Sequence, residues 1–525
     1  MGSFLFVCVV FLCAATAALA QAGRGSISGL VSDPTGAIVP GAKITLLNHA
    51  TGVALHTVTT TAGLYSFVSL NPGVYEVTAS LKGFESVAQD NVNVTVDQVS
   101  TVNITLRVGS VNEVVTVTES TSLVEASNST VGQLISAETI DRVPLLTRNV
   151  FDLVQLSAGV TPANGAPNSS TSNAIINISS GRPGVDVSSY TINGAIVGSV
   201  YYMLDGSPLG VAEQNVAAVI PAMEIPEDGV EETRVETQNT PATYLSGGAG
   251  VISLASKSGG DRFHGDGFVV MRPNVLAANE WFNKQGGYPT PAYHRYQEGG
   301  AIGGPILHKK LFFFGDYEDT QQEAFDGSSQ FTVPTTSERT GDFSNMGFTI
   351  YDPTQPDNPD GTRQAATGNK IANPNPIAVK FLSEFPKCNH PDATTCDAAT
   401  ADQYNFFAPG LDPTTQQKFD VRMDYYAGEK QRIFGRFSFD RLFTSGVNAF
   451  NNPWDLDYAQ NITNGRNFII GDDYTINPST VLQLRYSFTR HYENQGGDPG
   501  QSAVDNLATL GFITPTAADE VYRCV

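Results

Sequence analysis

From residue 262 onward, apolar and polar residues alternate with a period of two. In FDVRMDYY, Phe419, Val421, Met423 and Tyr425 fall on one side, and Asp420, Arg422 and Asp424 on the other. In QRIFGRFSFDR, Ile433, Phe437 and Phe439 oppose Arg432, Arg436, Ser438 and Asp440. In VLQLRYSFTR, Leu482, Leu484, Tyr486 and Phe488 oppose Gln483, Arg485, Ser487 and Thr489. Successive side chains of a strand point to opposite faces, so each stretch predicts a strand with one apolar and one polar face. A soluble sandwich has the same alternation, with its core on the apolar face. The connections separate the two. Predicted strands 295–307 and 311–321 are joined by His308–Lys310, 418–426 and 431–441 by AGEK, and 466–476 and 480–491 by NPST. Between these hairpins lie long connections, 273–294, 322–417 and 442–465. Alternating short turns and long loops is the wiring of a transmembrane barrel, and the longest of these loops is foreign to a compact soluble domain. The apolar run Leu311–Phe314 then crosses hydrocarbon, with Leu311, Phe313 and Tyr317 towards lipid and Phe312, Phe314, Asp316 and Glu318 turned inward.

Upstream the pattern is different. From residue 25, short runs such as SISGLVSD, AKITLLNH, LYSFVSL and VYEVTAS are separated by Asp33-Pro34-Thr35-Gly36 and Asn71-Pro72-Gly73. Such spacing predicts a small β-sandwich over 23–108, with Tyr65, Phe67, Tyr75 and Val77 sharing its interior. Residues 109–120, GSVNEVVTVTES, carry a dense β-branched run, Val114 to Val117 after Glu113. An extended run of this kind adds readily to another protein's sheet edge; a last sandwich strand or a plain linker is the alternative. Residues 121–258 mix helical and strand patterns. Val150, Leu153, Val154 and Leu156 make a helical stripe closed by Gly159, and the stretch 190–209 reads as a strand pair ending in the hairpin dipeptide Asp205-Gly206.

Composition narrows the class. Thirty Lys+Arg against 52 Asp+Glu give a formal charge of −22 over 525 residues, which argues against a phosphate-binding nucleic-acid surface. The apolar core Phe4–Leu12, followed by Ala18-Leu19-Ala20, predicts a secretory signal peptide over 1–20. An exported chain meets oxidising conditions, so Cys388 and Cys396, close together in a polar loop, are expected to form a disulfide. Zinc at His390 lacks a second pair of ligands. The sequence has no HExxH, Walker A or GxSxG pattern, and no catalytic, cofactor-binding or metal residue is expected.

Four resemblances join these units. GxVxDxxGxxxPGAxVxL at Gly29–Leu46 and GxYxFxxLxPGxYxVxA at Gly63–Ala79 resemble the carboxypeptidase-regulatory-like domain, a non-catalytic transthyretin-like, Ig-like sandwich. The run Glu113-Val114-Val115-Thr116-Val117 resembles a TonB box. Gly247, Gly248, Gly250, Lys257, Ser258, Gly259, Phe263, His264 and Gly265 resemble the junction between plug domain and barrel in outer-membrane transporters. Finally YQEGGAIGGPILHKKLFFFGDYE, TVPTTSERTGDFS and FDVRMDYYAGEKQRIFGRFSFDR resemble Oar-like TonB-dependent receptors.

The expected fold is therefore mainly β: a sandwich, a linker at 109–120, an α+β plug at 121–258, and at 259–525 an incomplete antiparallel transmembrane barrel of about seven strands. Such a sheet has open edges, so the chain is expected to be the N-terminal part of a longer protein or the product of an interrupted gene. The resemblance implies an outer-membrane importer of an unknown extracellular ligand, energised by a periplasmic TonB–ExbB–ExbD complex and bathed by outer-membrane lipid, with no nucleic acid. A surface adhesion or envelope-organising protein without transport is the alternative.

Overall fold

The computed structural model describes residues 23–496 apart from 110–113, 118–128, 163–189 and shorter stretches, the longest being 451–459 and 397–404. The expected signal peptide, Glu113 and Gly247 lie outside the described residues.

The first unit is a two-layer sandwich. Its strands are β1 (Gly25–Ser32), β2 (Lys43–Asn48), β3 (Ala54–Val58), β4 (Leu64–Leu70), β5 (Gly73–Ser80), β6 (Ser86–Val94), β7 (Val99–Thr101), β8 (Ile104–Thr105) and β9 (Val114–Val117). One sheet holds β4, β1, β7 and β8; the other runs β3-β2-β5-β6-β9. Alternate residues meet between them: Ile27, Val31, Ile44, Leu46, Tyr65, Phe67, Tyr75 and Val77 are all buried in one cluster. The Tyr65 hydroxyl donates to the Val102 carbonyl at 2.7 Å, so its polar end is satisfied inside the core. At the turn after β1, Asp33 Oδ1 accepts from the backbone N–H groups of Thr35 and Ala37, an Asx-type turn.

A mixed sheet forms the middle unit, in the order Val131–Ile135, Val230–Gln238, Gly250–Ser256, Val200–Leu204, Ser207–Pro208. Val200–Leu204 and Gly250–Ser256 run parallel. The Asp205-Gly206 hairpin forms as expected, both residues taking positive φ of 50° and 80°. The preceding strand Tyr190–Ile192 does not pair with Val200–Leu204, contrary to expectation; its partner is Val160–Pro162. The expected helical stripe is a 3-10 helix, Val150–Leu156. Val150, Leu153 and Val154 are buried, but Leu156 is exposed and Phe151 takes its share of the core, edge-on to Tyr202 at 5.8 Å. Leu156 ends the helix where the chain turns through Ser157 to Gly159, at positive φ, and this turn carries it off the packed side.

The third unit is a seven-stranded antiparallel sheet in simple sequence order: His264–Pro273, Tyr293–Leu307, Leu311–Phe325, Leu411–Tyr426, Gln431–Ser445, Gln460–Asn477 and Thr480–Gly496. The strands run past the predicted ends on the long-loop side, so the long connections are correspondingly shorter. All three tight turns stand where the pattern put them. The faces are inverted relative to a soluble sheet. Val421, Met423 and Tyr425 are each more than 40% exposed, whereas Asp420, Arg422 and Asp424 are each 2% exposed. Phe312, Phe314, Asp316 and Glu318 are buried, and Tyr317 is exposed. No helix among the described residues is long and apolar enough to cross a membrane.

Candidate functional site

The buried polar face of this sheet is covered by the middle unit and by the tip of the sandwich. Three clusters of charge hold the contact. At the first, Arg148 projects from the loop before the 3-10 helix, its own backbone at φ 55°. Its guanidinium lies 2.9 Å from Asp228, 3.4 Å from Glu318 of the sheet and 3.7 Å from Glu227, and stacks on Phe268 at 3.6 Å. Glu318 also pairs with Lys418 at 2.9 Å, and Lys418 reaches Glu224 at 3.5 Å. Glu224 accepts from Asn149 Nδ2 and Gln416 Nε2, and its backbone N–H donates to Asp440 at 2.9 Å. The stretch EIPEDG, Glu224–Gly229, thus places its carboxylates against cations from both sides of the contact. Burial pushes Glu227 up to about 7, with Arg148 opposing the shift.

At the second cluster Asp205, on the Asp205-Gly206 hairpin, accepts from the Ser256 N–H at 3.0 Å and hydroxyl at 2.6 Å. Arg436 and Arg422 of the sheet reach the same carboxylate at 2.8 and 3.3 Å. Burial alone would raise its pKa, but Arg422, Arg436 and Arg24 outweigh that and hold it below the usual carboxylate range. Arg422 also donates to the Ser256 carbonyl at 2.7 Å, so one guanidinium ties the end of strand Gly250–Ser256 to the sheet.

The third cluster belongs to the sandwich. Asn71 Oδ1, in the turn between β4 and β5, accepts from Arg422 Nη2 at 2.8 Å, Arg432 Nη2 at 2.5 Å and Arg24 Nη1 at 3.2 Å. Arg432 donates to the Ser69 carbonyl at 3.0 Å, Arg485 to the Ser69 hydroxyl at 2.9 Å, and that hydroxyl donates to Asp473 at 2.8 Å. Val53, Phe312 and Tyr426 close an apolar contact beside them. All of this lies at the short-turn end of the sheet: Ala50 O accepts from Asp261 N, and His56 stands 4.0 Å from Glu429 in the turn 427–430.

Of the residues singled out in the sequence, Lys257 and Gly259 lie at this contact, and the others are spread more widely. Lys257 N donates to the Gly229 carbonyl, and its ammonium faces Asp141 at 3.8 Å. Gly259 passes so close to the Phe313 and Gly304 carbonyls that a Cβ would collide with them. Gly250 is similarly pressed on the Glu236 carbonyl and Ile192, whereas Gly248 stands in open space. His264 opens the first strand of the sheet and is exposed. Val114–Val117 form β9, paired in parallel with β6. A disulfide joins Cys388 and Cys396 in the long connection, away from these clusters. Arg148, Asp205, Glu224, Glu227 and Asn71 were not singled out as site residues. The acidic run EIPEDG is the local sign of Glu224 and Glu227, whereas Asp205 and Asn71 were legible only as turn residues.

A sheet with its apolar side outward and its charged side filled by another part of the chain defines an outer-membrane barrel protein. Residues 255–523 match the family model described as outer membrane beta barrel domain, and the chain belongs to that family. Residues 26–107 match the carboxypeptidase regulatory-like domain. The chain is at the outer membrane. It is similar to the TonB-dependent transporter Oar of Myxococcus xanthus, 24% identical over 272 residues, which cover 50% of this chain and 23% of that protein. The chain therefore spans about a quarter of its curated relative's length. Among solved structures, the outer membrane transporter YddB from Escherichia coli is 10% identical with a TM-score of 0.42, over 69% of this chain and 39% of that one. The siderophore receptor PirA from Acinetobacter baumannii is 11% identical with a TM-score of 0.40, over 70% and 41%.

Proposed function

We propose that the protein is a TonB-dependent receptor that binds an extracellular ligand and imports it with energy from a periplasmic TonB-type partner. In this reading 1–20 is a signal peptide, 23–108 a periplasmic sandwich, 109–120 the linker with the coupling segment, 121–258 a plug, and 259–525 the first part of the barrel wall. The observation that carries it is the ion-paired contact between the middle unit and the polar face of the sheet. Buried charges held by many separate ion pairs and hydrogen bonds make a seal that fits snugly at rest, and water can re-solvate those charges when the unit is pulled aside. An apolar core would offer no such exchange. The ligand is taken at the long-loop end, and Glu113–Val117 is the segment the partner grips by strand addition.

Binding of a peptide spanning Gly109–Ser120 to the C-terminal domain of TonB tests this. The expected result is measurable binding that is lost on Val115→Pro, because proline removes a ladder N–H and fixes φ. Absence of binding would sink the importer reading and favour a surface protein without transport.

A further inference from the structure

The coupling segment is not a loose tether. β9 pairs in parallel with β6, Ser86 opposite Val114, Val87 opposite Val115, Ala88 opposite Thr116 and Gln89 opposite Val117. It is the last strand of the five-stranded layer β3-β2-β5-β6-β9. A run whose composition suits it to extend a foreign sheet has thus found a sheet edge within its own chain. The sandwich carrying that edge is itself fastened. Its tip is held at Ser69 and Asn71 by Arg422, Arg432 and Arg485, and Val96 N donates to Glu232 of the middle unit at 3.0 Å.

We infer that β6 is the resting partner of the coupling segment, and that β6 and the TonB-type partner compete for the same strand; the inference rests on the coupling reading above. Two arguments favour competition over simple addition to the outer edge of β9. Alternate residues of a strand direct their backbone groups to opposite edges, so a four-residue strand held on β6 offers about two residues to a newcomer. Released, the whole segment 109–120 can pair. Second, the β6–β9 ladder is short and parallel, whereas the sandwich tip is held by several buried bonds from charged donors, which are the stronger kind. A pull on the linker therefore opens β9 from β6 before it undocks the sandwich. The sandwich stays at the short-turn end as a cradle that keeps Val114–Val117 extended on β6 until a partner strand replaces β6.

Each backbone bond surrendered lowers the partner's apparent affinity by roughly five- to tenfold. The free 109–120 peptide should then bind about ten- to a hundredfold more tightly than the intact chain. The decisive variant is Ala88→Cys with Thr116→Cys, made with Cys388, Cys396 and Cys524 changed to serine. Paired residues on adjacent strands lie within disulfide reach. The purified chain in detergent is oxidised, and TonB C-terminal domain is titrated onto it by interferometry before and after reduction. The expected result is a disulfide that forms, no binding to the oxidised chain, and full binding once reduced. Equal binding in both states, or a disulfide that does not form, overturns the inference while leaving the coupling reading intact. If the free peptide fails to bind as well, both fall together.

Discussion

Replacing Asn71 with alanine should weaken the docking of the sandwich on the floor of the sheet without unfolding it. Asn71 Oδ1 accepts from three guanidinium groups, those of Arg422, Arg432 and Arg24, at 2.5 to 3.2 Å, and the residue is 7% exposed. A hydrogen bond from a charged donor contributes about 1.5–3 kcal/mol. Arg24 belongs to the sandwich itself, so two of the three bonds cross the contact; they share one oxygen, and Arg422 and Arg432 keep Asp424 at 2.9 and 2.6 Å, so the losses do not fully add. A loss of about 3–4 kcal/mol for docking follows, a shift of several hundredfold in the docked population. The fold of the sandwich should survive, because the Tyr75 hydroxyl bonds the backbone carbonyl of Asn71, which alanine keeps. Hydrogen exchange followed by mass spectrometry is the assay. Protection should fall in the turn 427–430 and around Ser69, and should persist in the sandwich core strands β1, β2 and β5. Asn71→Asp is the companion variant. A carboxylate among three arginines should hold at least as well as the amide, so its protection should match or exceed the parent's. Unchanged exchange in Asn71→Ala would refute the reasoning, as would equal loosening in both variants.

Two further outcomes are expected. Arg148→Met leaves Glu227, Asp228 and Glu318 without their shared cation; breaking a buried pair of this kind costs about 3–5 kcal/mol, to be read as a lowered thermal midpoint that Arg148→Lys partly restores. Burial raises Glu227 and Glu232 to about 7 in the folded chain. The folded state therefore binds their protons more tightly than the unfolded state, so this contribution is fully present below the unfolded pKa and is lost as pH rises through about 7. Asp205, held low, acts only at more acid pH. Thermal stability should accordingly be higher near about pH 6 than near about pH 8, and Glu232→Gln should flatten the difference; a midpoint that rises from pH 6 to 8 in the parent would contradict it.

Much of the architecture was legible locally because a strand writes its two faces into alternate residues. Phe419 to Tyr425 and Leu482 to Phe488 show an apolar side without any knowledge of neighbours, and the short turns at 308–310 and 427–430 show which way the sheet is wired. The sandwich was legible for the same reason, through Tyr65, Phe67, Tyr75 and Val77. What faces the polar side was not legible. Glu318 meets Arg148 across 170 positions, and Asn71 meets Arg422 across 351; nothing in either local stretch encodes the other. Val114–Val117 carried strand propensity, but whether its edge was offered outward or spent on β6 depended on where the sandwich ends in space. Period and turn chemistry are properties of neighbouring residues, so sequence alone determined the strands, their faces and the inverted sheet. The pairing of buried charges and the partner of an edge strand are set by which distant surfaces the chain brings together, and only the tertiary structure decided them.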